Sequence, residues 1–393
     1  MKLLNNLLFR VFIAILIGIA VGLYAPLWLN RIFMTFNKLF GSFLGFSIPL
    51  IIMGLVMPAI AELGKNAGKL LFATVVIAYS FTLFSGFSTY FVGSAIFPAL
   101  LGDHSVASTE VSERALEAFF TINIPPILDV MSALVLAFMV GIGLSLKSNS
   151  TLGEVLKDFR DIITQVIEKV IIPLLPFYIM SIFSEIAYGG KVASVIDVFF
   201  KIIGVIFVMH FALLILQFIL AGLISGKNPI KSLMTMLPAY ATALGTQSSA
   251  ATIPVTLQQV IKLGVPERIA GFVVPLCATI HLSGSTMKIT ACAMALMLMN
   301  GQTVDFASFS GLIMMMGIMM VAAPGVPGGA IMAALGLLQS MLGFDTQQQA
   351  LMIALYIAMD SFGTACNVTG DGAVSLIVNR LNSLFGKKSP LGA

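Results

Sequence analysis

Six apolar runs, at about residues 9 to 29, 37 to 61, 70 to 100, 124 to 146, 162 to 186 and 194 to 225, are each long enough to cross a bilayer as a helix. No other feature limits the fold as much, because a chain in lipid must satisfy every backbone N–H and C=O internally, and a helix does so within one segment. Several runs are long enough to tilt. Composition agrees, since 59% of residues are hydrophobic and only 10% charged, too little charge for the surface of a soluble domain. The sequence therefore predicts an all-α polytopic membrane protein with the lipid bilayer as its solvent. A soluble enzyme is excluded. The formal net charge of +4 says little about partners, and no nucleic-acid partner is expected.

Charge in the loops sets the topology. Lys65 and Lys69, then Lys147, Lys157 and Arg160, then Lys227 and Lys231 follow the even-numbered runs, whereas the loop at 102 to 117 is acidic, with Asp103, Glu110, Glu113 and Glu117 against Arg114. By the positive-inside rule the basic loops are cytoplasmic, as are Lys2 and Arg10 at one end and Arg380, Lys387 and Lys388 at the other. Both termini are thus expected on the cytoplasmic side of a multi-pass protein of the cytoplasmic (inner) membrane. The opening segment runs on past Tyr24 without a cleavage site, which fits a retained first helix rather than a signal peptide. Cys277, Cys292 and Cys366 lie in apolar surroundings and read as core residues. Asn149-Ser150-Thr151 fits a glycosylation acceptor but falls in an expected cytoplasmic loop.

Beyond Lys231 the pattern changes. Residues 233 to 258 are apolar but broken by the small, polar stretch Gly245 to Pro254, and the next loop, Lys262 to Arg268, is basic again. A segment that enters and leaves on one side is a re-entrant hairpin. Residues 269 to 299 are interrupted at His281 to Ser285, and residues 306 to 342 at Pro324 to Ala330 between uncharged or acidic loops holding Asp305 and Asp345, which suits a second hairpin from the opposite side. The last run holds Asp360, Thr364, Asn367 and Asp371 at i, i+4, i+7 and i+11, one face of a helix. A carboxylate at mid-bilayer costs roughly 2.5 to 3.5 kcal/mol on insertion scales, so two on one stripe point to a substrate or ion route. Two interrupted segments in corresponding places are the mark of inverted repeats in a secondary transporter, with the binding site between them. No ATP-binding G-x-x-x-x-G-K-[ST] motif and no cofactor motif occurs, so an ion gradient is the expected drive.

Over nearly its whole length in span order, and most specifically from about Thr246 to Arg380, the chain resembles the dicarboxylate/amino acid:cation symporters, which include the excitatory amino-acid transporters. Ser248-Ser249-Ala250-Ala251-Thr252-Ile253-Pro254-Val255-Thr256 is similar to the family's serine-rich first hairpin tip, and Gly325-Val326-Pro327-Gly328 to the second. Asp360, Gly363-Thr364 and Asn367-Val368-Thr369-Gly370-Asp371 follow the order of the family's last helix. The resemblance implies eight transmembrane helices plus two re-entrant helical hairpins, in a homotrimer working by an elevator movement. Helices 1 and 2 (residues 1–68) and helices 4 and 5 (119–190) would form the scaffold. Helix 3 with its outer loop (69–118) and residues 191–393 would move, the latter comprising helix 6, hairpin 228–258, helix 7 at 267–300, hairpin 305–342 and helix 8 at 346–383. Carried across, the substrate-binding set is Ser248, Ser249, Ser285, Val326, Gly328, Asp360, Gly363, Thr364 and Asn367, with Asp360 accepting a substrate ammonium and Asn367 with the Ser248/Ser249 tip holding its α-carboxylate. The substrate would be a small amino acid or dicarboxylate, moved with a coupling cation or proton.

Three departures from the family pattern bear on mechanism. His281-Leu282-Ser283-Gly284-Ser285 stands in place of the sodium signature Asn-Met-Asp-Gly-Thr, and Phe81 and Thr82 align with an ion-binding pair in the third helix. Asn367 and Asp371 remain as a residual cation site, while His281, Lys288 and Asp371 become candidates for coupling or charge compensation. Gly363 stands where acidic-substrate members carry an arginine. Lys288, too deep beside the apolar run Met287 to Met299 to snorkel, either replaces that arginine, pairs Asp360 in the empty carrier, or with His281 makes the carrier proton-coupled. If its stretch is helical, it shares a face with His281 and Ser285. The alternatives are a neutral amino-acid carrier or exchanger without sodium coupling, and an ion-conducting channel. His210 reads as structural, and Asp129 and Glu185 as interfacial or interhelical contacts.

Overall fold

Proline and short polar residues decide where the apolar runs break. The computed structural model describes residues 7–65, 69–101, 116–147, 150–190, 192–321, 323 and 327–386. Val326, Gly325, most of the acidic loop, Asn149, Lys2, Lys387 and Lys388 lie outside that set. The first run does not continue to residue 29. α1 (Leu7–Tyr24) stops before Pro26, and α2 (Leu27–Lys65) begins just after it, since proline disfavours helical backbone in the residue before it. Asn30 donates from Nδ2 to the carbonyls of Val21 and Ala25 (3.4 and 3.2 Å), across the corner between α1 and α2. The Ser184 hydroxyl donates to Asn30 Oδ1 at 2.6 Å, which ties this corner to a later helix.

α3 (Lys69–Leu101) follows. The expected span from 124 starts late, because Pro125 and Pro126 keep the chain extended until Asp129 caps α4 (Val130–Ser145) by accepting from Ser132 N at 3.0 Å. α5 (Thr151–Val166) passes through a π-helical turn at Ile167–Ile171 into α6 (Ile172–Tyr188). α7 (Val192–Ser225) precedes the first broken segment, α8 (Pro229–Thr246) and α9 (Ser249–Lys262). Between them Gln247 takes the left-handed conformation at φ 54°, and Ser248 caps α9 by accepting from Ala251 N at 3.2 Å. α10 (Glu267–Ile280) and α11 (Ser283–Met299) are separated by His281 and Leu282 alone. α12 (Phe306–Met320) and α13 (Gly329–Leu342) form the second broken segment. α14 (Thr346–Ala358) meets α15 (Asp360–Gly386) at a 61° bend.

Among the described residues, all regular structure is helical. Five segments, Leu27–Ala61, Leu70–Leu101, Thr151–Tyr188, Val195–Ser225 and Glu267–Met299, are long and apolar enough to cross a membrane, and the bent α14–α15 pair makes six if taken as one span. α1 lies along α6, and α2 packs across α4, α5 and α6; α3 packs on α11 and α12; α15 is surrounded by α7, α8, α9, α10 and α11. Phe12, Phe72, Phe200, Val208 and Leu223 face outward, as side chains solvated by lipid do. The polar residues collect instead around α15.

Candidate substrate and coupling site

The 61° bend changes what Asp360 can do. The sequence reads it as a mid-helix residue, but the helix ends at Ala358 and restarts at Asp360, so the carboxylate sits in the first turn of α15, where the helix dipole favours an anion. Both its oxygens are engaged. Oδ1 accepts from Lys288 Nζ at 3.3 Å, and Oδ2 accepts from the backbone N–H of Gly328, at the entrance to α13, at 2.7 Å. Gly328 reaches this position at φ +74°, a left-handed conformation that glycine adopts freely. Lys288 is 1% exposed and does not snorkel. Its ammonium also donates to Met359 O at 3.3 Å and lies 3.8 Å from the centre of the Tyr356 ring, a cation–π contact.

Gly363 lies directly beneath this lysine. A Cβ at Gly363 would overlap Lys288 Cε and Nζ, so the lysine stem occupies the volume that any side chain at 363 would need. Ser285, one turn before Lys288 on α11, accepts from the Tyr356 hydroxyl at 3.0 Å and from Asn367 Nδ2 at 3.1 Å, while Asn367 Oδ1 accepts from Gly284 N at 2.8 Å. Thr364 is buried beside them. The first hairpin reaches the same helix start, with Gln247 Nε2 donating to the Ser361 hydroxyl at 2.8 Å. Ser249 is buried next to that tip, and the Ser248 hydroxyl serves as the cap of α9. Val326 lies outside the described residues.

His281 parts company with Ser285 and Lys288. It belongs to the break rather than to α11, and its Nδ1 lies 2.9 Å from Asp371 Oδ1, both groups being buried. Its ring packs on Phe81, with centroids 6.0 Å apart. Thr82 donates to its own helix at Ala78 O, 2.9 Å away. Gln217 of α7 donates to the Ser283 hydroxyl at 3.1 Å, and the Ser85 hydroxyl donates to Ser283 O at 2.6 Å. Among the described residues His281 Nε2 and Gln217 Oε1 have no hydrogen-bond partner, and both side chains lie against Gly370, where a Cβ would meet each. The polar stripe is thus two clusters, one on Asp360 and one on Asp371, with Asn367, between them in sequence, bonded to Gly284 and Ser285. Among the described residues no three His, Cys, Asp or Glu side chains group as a metal site would require.

Sequence reasoning missed Tyr356, Gln217 and Ser361. Tyr356 could have been found at i−4 from Asp360, and Gln217 as a lone amide inside an apolar run. Of the other polar residues, His210 pairs with the Tyr240 hydroxyl at 3.2 Å, Asp129 caps α4, and the three cysteines are buried and free.

A family model described as the sodium:dicarboxylate symporter family matches residues 7–381. The chain belongs to that family. Its relatives include the serine/threonine transporter SstT of Acinetobacter baumannii, 27% identical over 93% of this chain and 94% of that protein, and the serine/threonine transporter SstT of Streptococcus suis, 28% identical over 83% and 93%. It is a multi-pass membrane transporter and not an enzyme. In this symporter, then, Asp360 and its neighbours form a buried polar centre of a carrier. Of the oxygens the resemblance implied for a cation, Asn367 Oδ1 accepts from Gly284 N and Asp371 Oδ1 lies 2.9 Å from His281 Nδ1.

Proposed function

We propose that this chain is a secondary active symporter that moves a small neutral amino acid across the cytoplasmic membrane, driven by a cation or a proton. The observation that carries the reading is the convergence on Asp360: a buried carboxylate at a broken helix, with the Gly328 amide of one hairpin on it and the Gln247 tip of the other bound to its neighbour Ser361. A carboxylate in a dry site is a strong acceptor for an ammonium group. Asn367 and the Ser248/Ser249 tip would take the α-carboxylate, and Thr364 and Ser285 would line the remainder. A dicarboxylate suits the site less, because Lys288 is the one buried lysine or arginine among the described residues and Asp360 already balances it. The serine/threonine specificity named for the relatives points the same way.

In this reading α1, α2, α4, α5 and α6 form the scaffold of a homotrimer, with both termini cytoplasmic. α3, α7, α10, α11, α14, α15 and the two hairpins slide as one body. The His281–Asp371 pair and Asn367 are where the coupling ion or proton acts. The test is uptake of radiolabelled serine, threonine, aspartate and succinate into proteoliposomes, with a sodium gradient, a pH gradient, or neither. The expected result is saturable serine or threonine uptake, concentrative with one of the two gradients. Uptake of succinate alone would overturn the substrate assignment, and unsaturable flux would indicate a channel.

A further inference from the structure

A buried carboxylate left alone is costly, and one backbone amide cannot neutralise it. An empty carrier that closes its hairpin over Asp360 therefore needs another cation, and Lys288 is that cation. We infer that Lys288 is a built-in occupant of the amine position: without substrate its ammonium stands on Asp360 in place of the substrate's, so the second hairpin closes and the carrier crosses the membrane empty. The inference rests on the amino-acid reading above and extends it.

Three features of the geometry support the exchange of one ammonium for the other. First, Lys288 Nζ lies 3.3 Å from Asp360 Oδ1, longer than the roughly 2.7 to 2.9 Å of a strong charge-assisted bond. A ligand ammonium that comes closer wins the carboxylate. Second, the displaced lysine is not stranded, because Met359 O at 3.3 Å and the Tyr356 ring at 3.8 Å still hold it. Third, the stem runs over Gly363 so closely that any side chain there would exclude it, so the glycine and the lysine form one device. The Gly328 N–H bond to Asp360 Oδ2 at 2.7 Å is compatible with either occupant, since each leaves that oxygen free.

The experiment separates empty return from loaded exchange. Proteoliposomes holding the purified full chain are filled with radiolabelled L-serine and diluted into buffer with or without unlabelled L-serine. Wild-type protein is expected to release label into serine-free buffer within about tenfold of its exchange rate. Lys288→Met is expected to slow release into serine-free buffer at least tenfold more than it slows exchange. If Lys288→Met does not fold, Lys288→Gln, which keeps a donor to Met359 O without the charge, takes its place with the same expected split. Wild-type protein that releases label only against external serine, or a variant that slows both modes alike, would overturn the inference. Wild-type protein that moves no amino acid in either mode fails the amino-acid reading instead, a separate outcome.

Discussion

Asp360 and Asp371 stand on one face of α15, about three turns apart, yet the two carboxylates live differently. Asp360 is held by groups from two other elements: a lysine at 3.3 Å and the amide of Gly328 at 2.7 Å. Asp371 is held at 2.9 Å by the ring of His281, which is fixed in a two-residue helix break and packed on Phe81. The difference teaches that a polar stripe in a membrane protein is not one site. At Asp360 the lysine contact, at 3.3 Å, is longer than a strong charge-assisted bond, whereas the His281–Asp371 contact joins two groups fixed at a helix break.

The largest expected effect comes from removing the exchangeable carboxylate. Asp360→Asn leaves Lys288 buried without its counter-charge, a loss of about 3 to 5 kcal/mol for a broken buried pair, and abolishes serine-dependent thermal stabilisation. Adding Lys288→Met restores most of the melting temperature but none of the serine shift. A double variant that still binds serine would break the comparison at its first term. Asp371→Asn should cost less, about 1 to 3 kcal/mol, because the amide can still accept from His281. It should keep the serine shift while the accumulation ratio under a gradient falls to unity. Loss of both together would mean that the two clusters are one site.

Smaller effects sharpen the contrast. Gly363→Ala forces a Cβ into the lysine stem and should destabilise by about 1 to 3 kcal/mol, the range for overpacking. The penalty should largely vanish in a Lys288→Ala background, giving a coupling energy above about 0.5 kcal/mol in a double-mutant cycle of melting data. The smallest effect belongs to a carboxylate with no buried partner at all. Asp305, fully exposed ahead of α12, is held below the usual carboxylate range by the backbone N–H of Ser308, and then by that residue's hydroxyl. A carboxyl group lowered in the folded state stabilises above its unfolded value, and that contribution is lost as pH falls through the folded one. The small gap in melting temperature between wild type and Asp305→Asn should therefore be present near neutrality and close in acid.

The sequence alone determined the solvent, the class and most of the punctuation. Runs of apolar residues require helices in lipid, and stretches such as Gly245–Pro254 and His281–Ser285 cannot continue one, so helices, breaks and the polar face of the last segment were legible from local chemistry. Pro26 and the pair Pro125–Pro126 could have corrected two of the span limits, for their effect is equally local. Partnership was not legible from spacing; the Lys288–Asp360 pair was offered only through the family resemblance, as one of several roles. Nothing in the spacing of His281, Ser285 and Lys288 says that the first turns to Asp371 while the last turns to Asp360, because that depends on one helix ending at Ile280 and another starting at Ser283. Nor does a glycine at 363 announce that a lysine from α11 will fill its space. Periodicity assigns a side chain to a face, but which neighbour meets that face depends on how helices distant in sequence pack, and here packing made two clusters from one stripe.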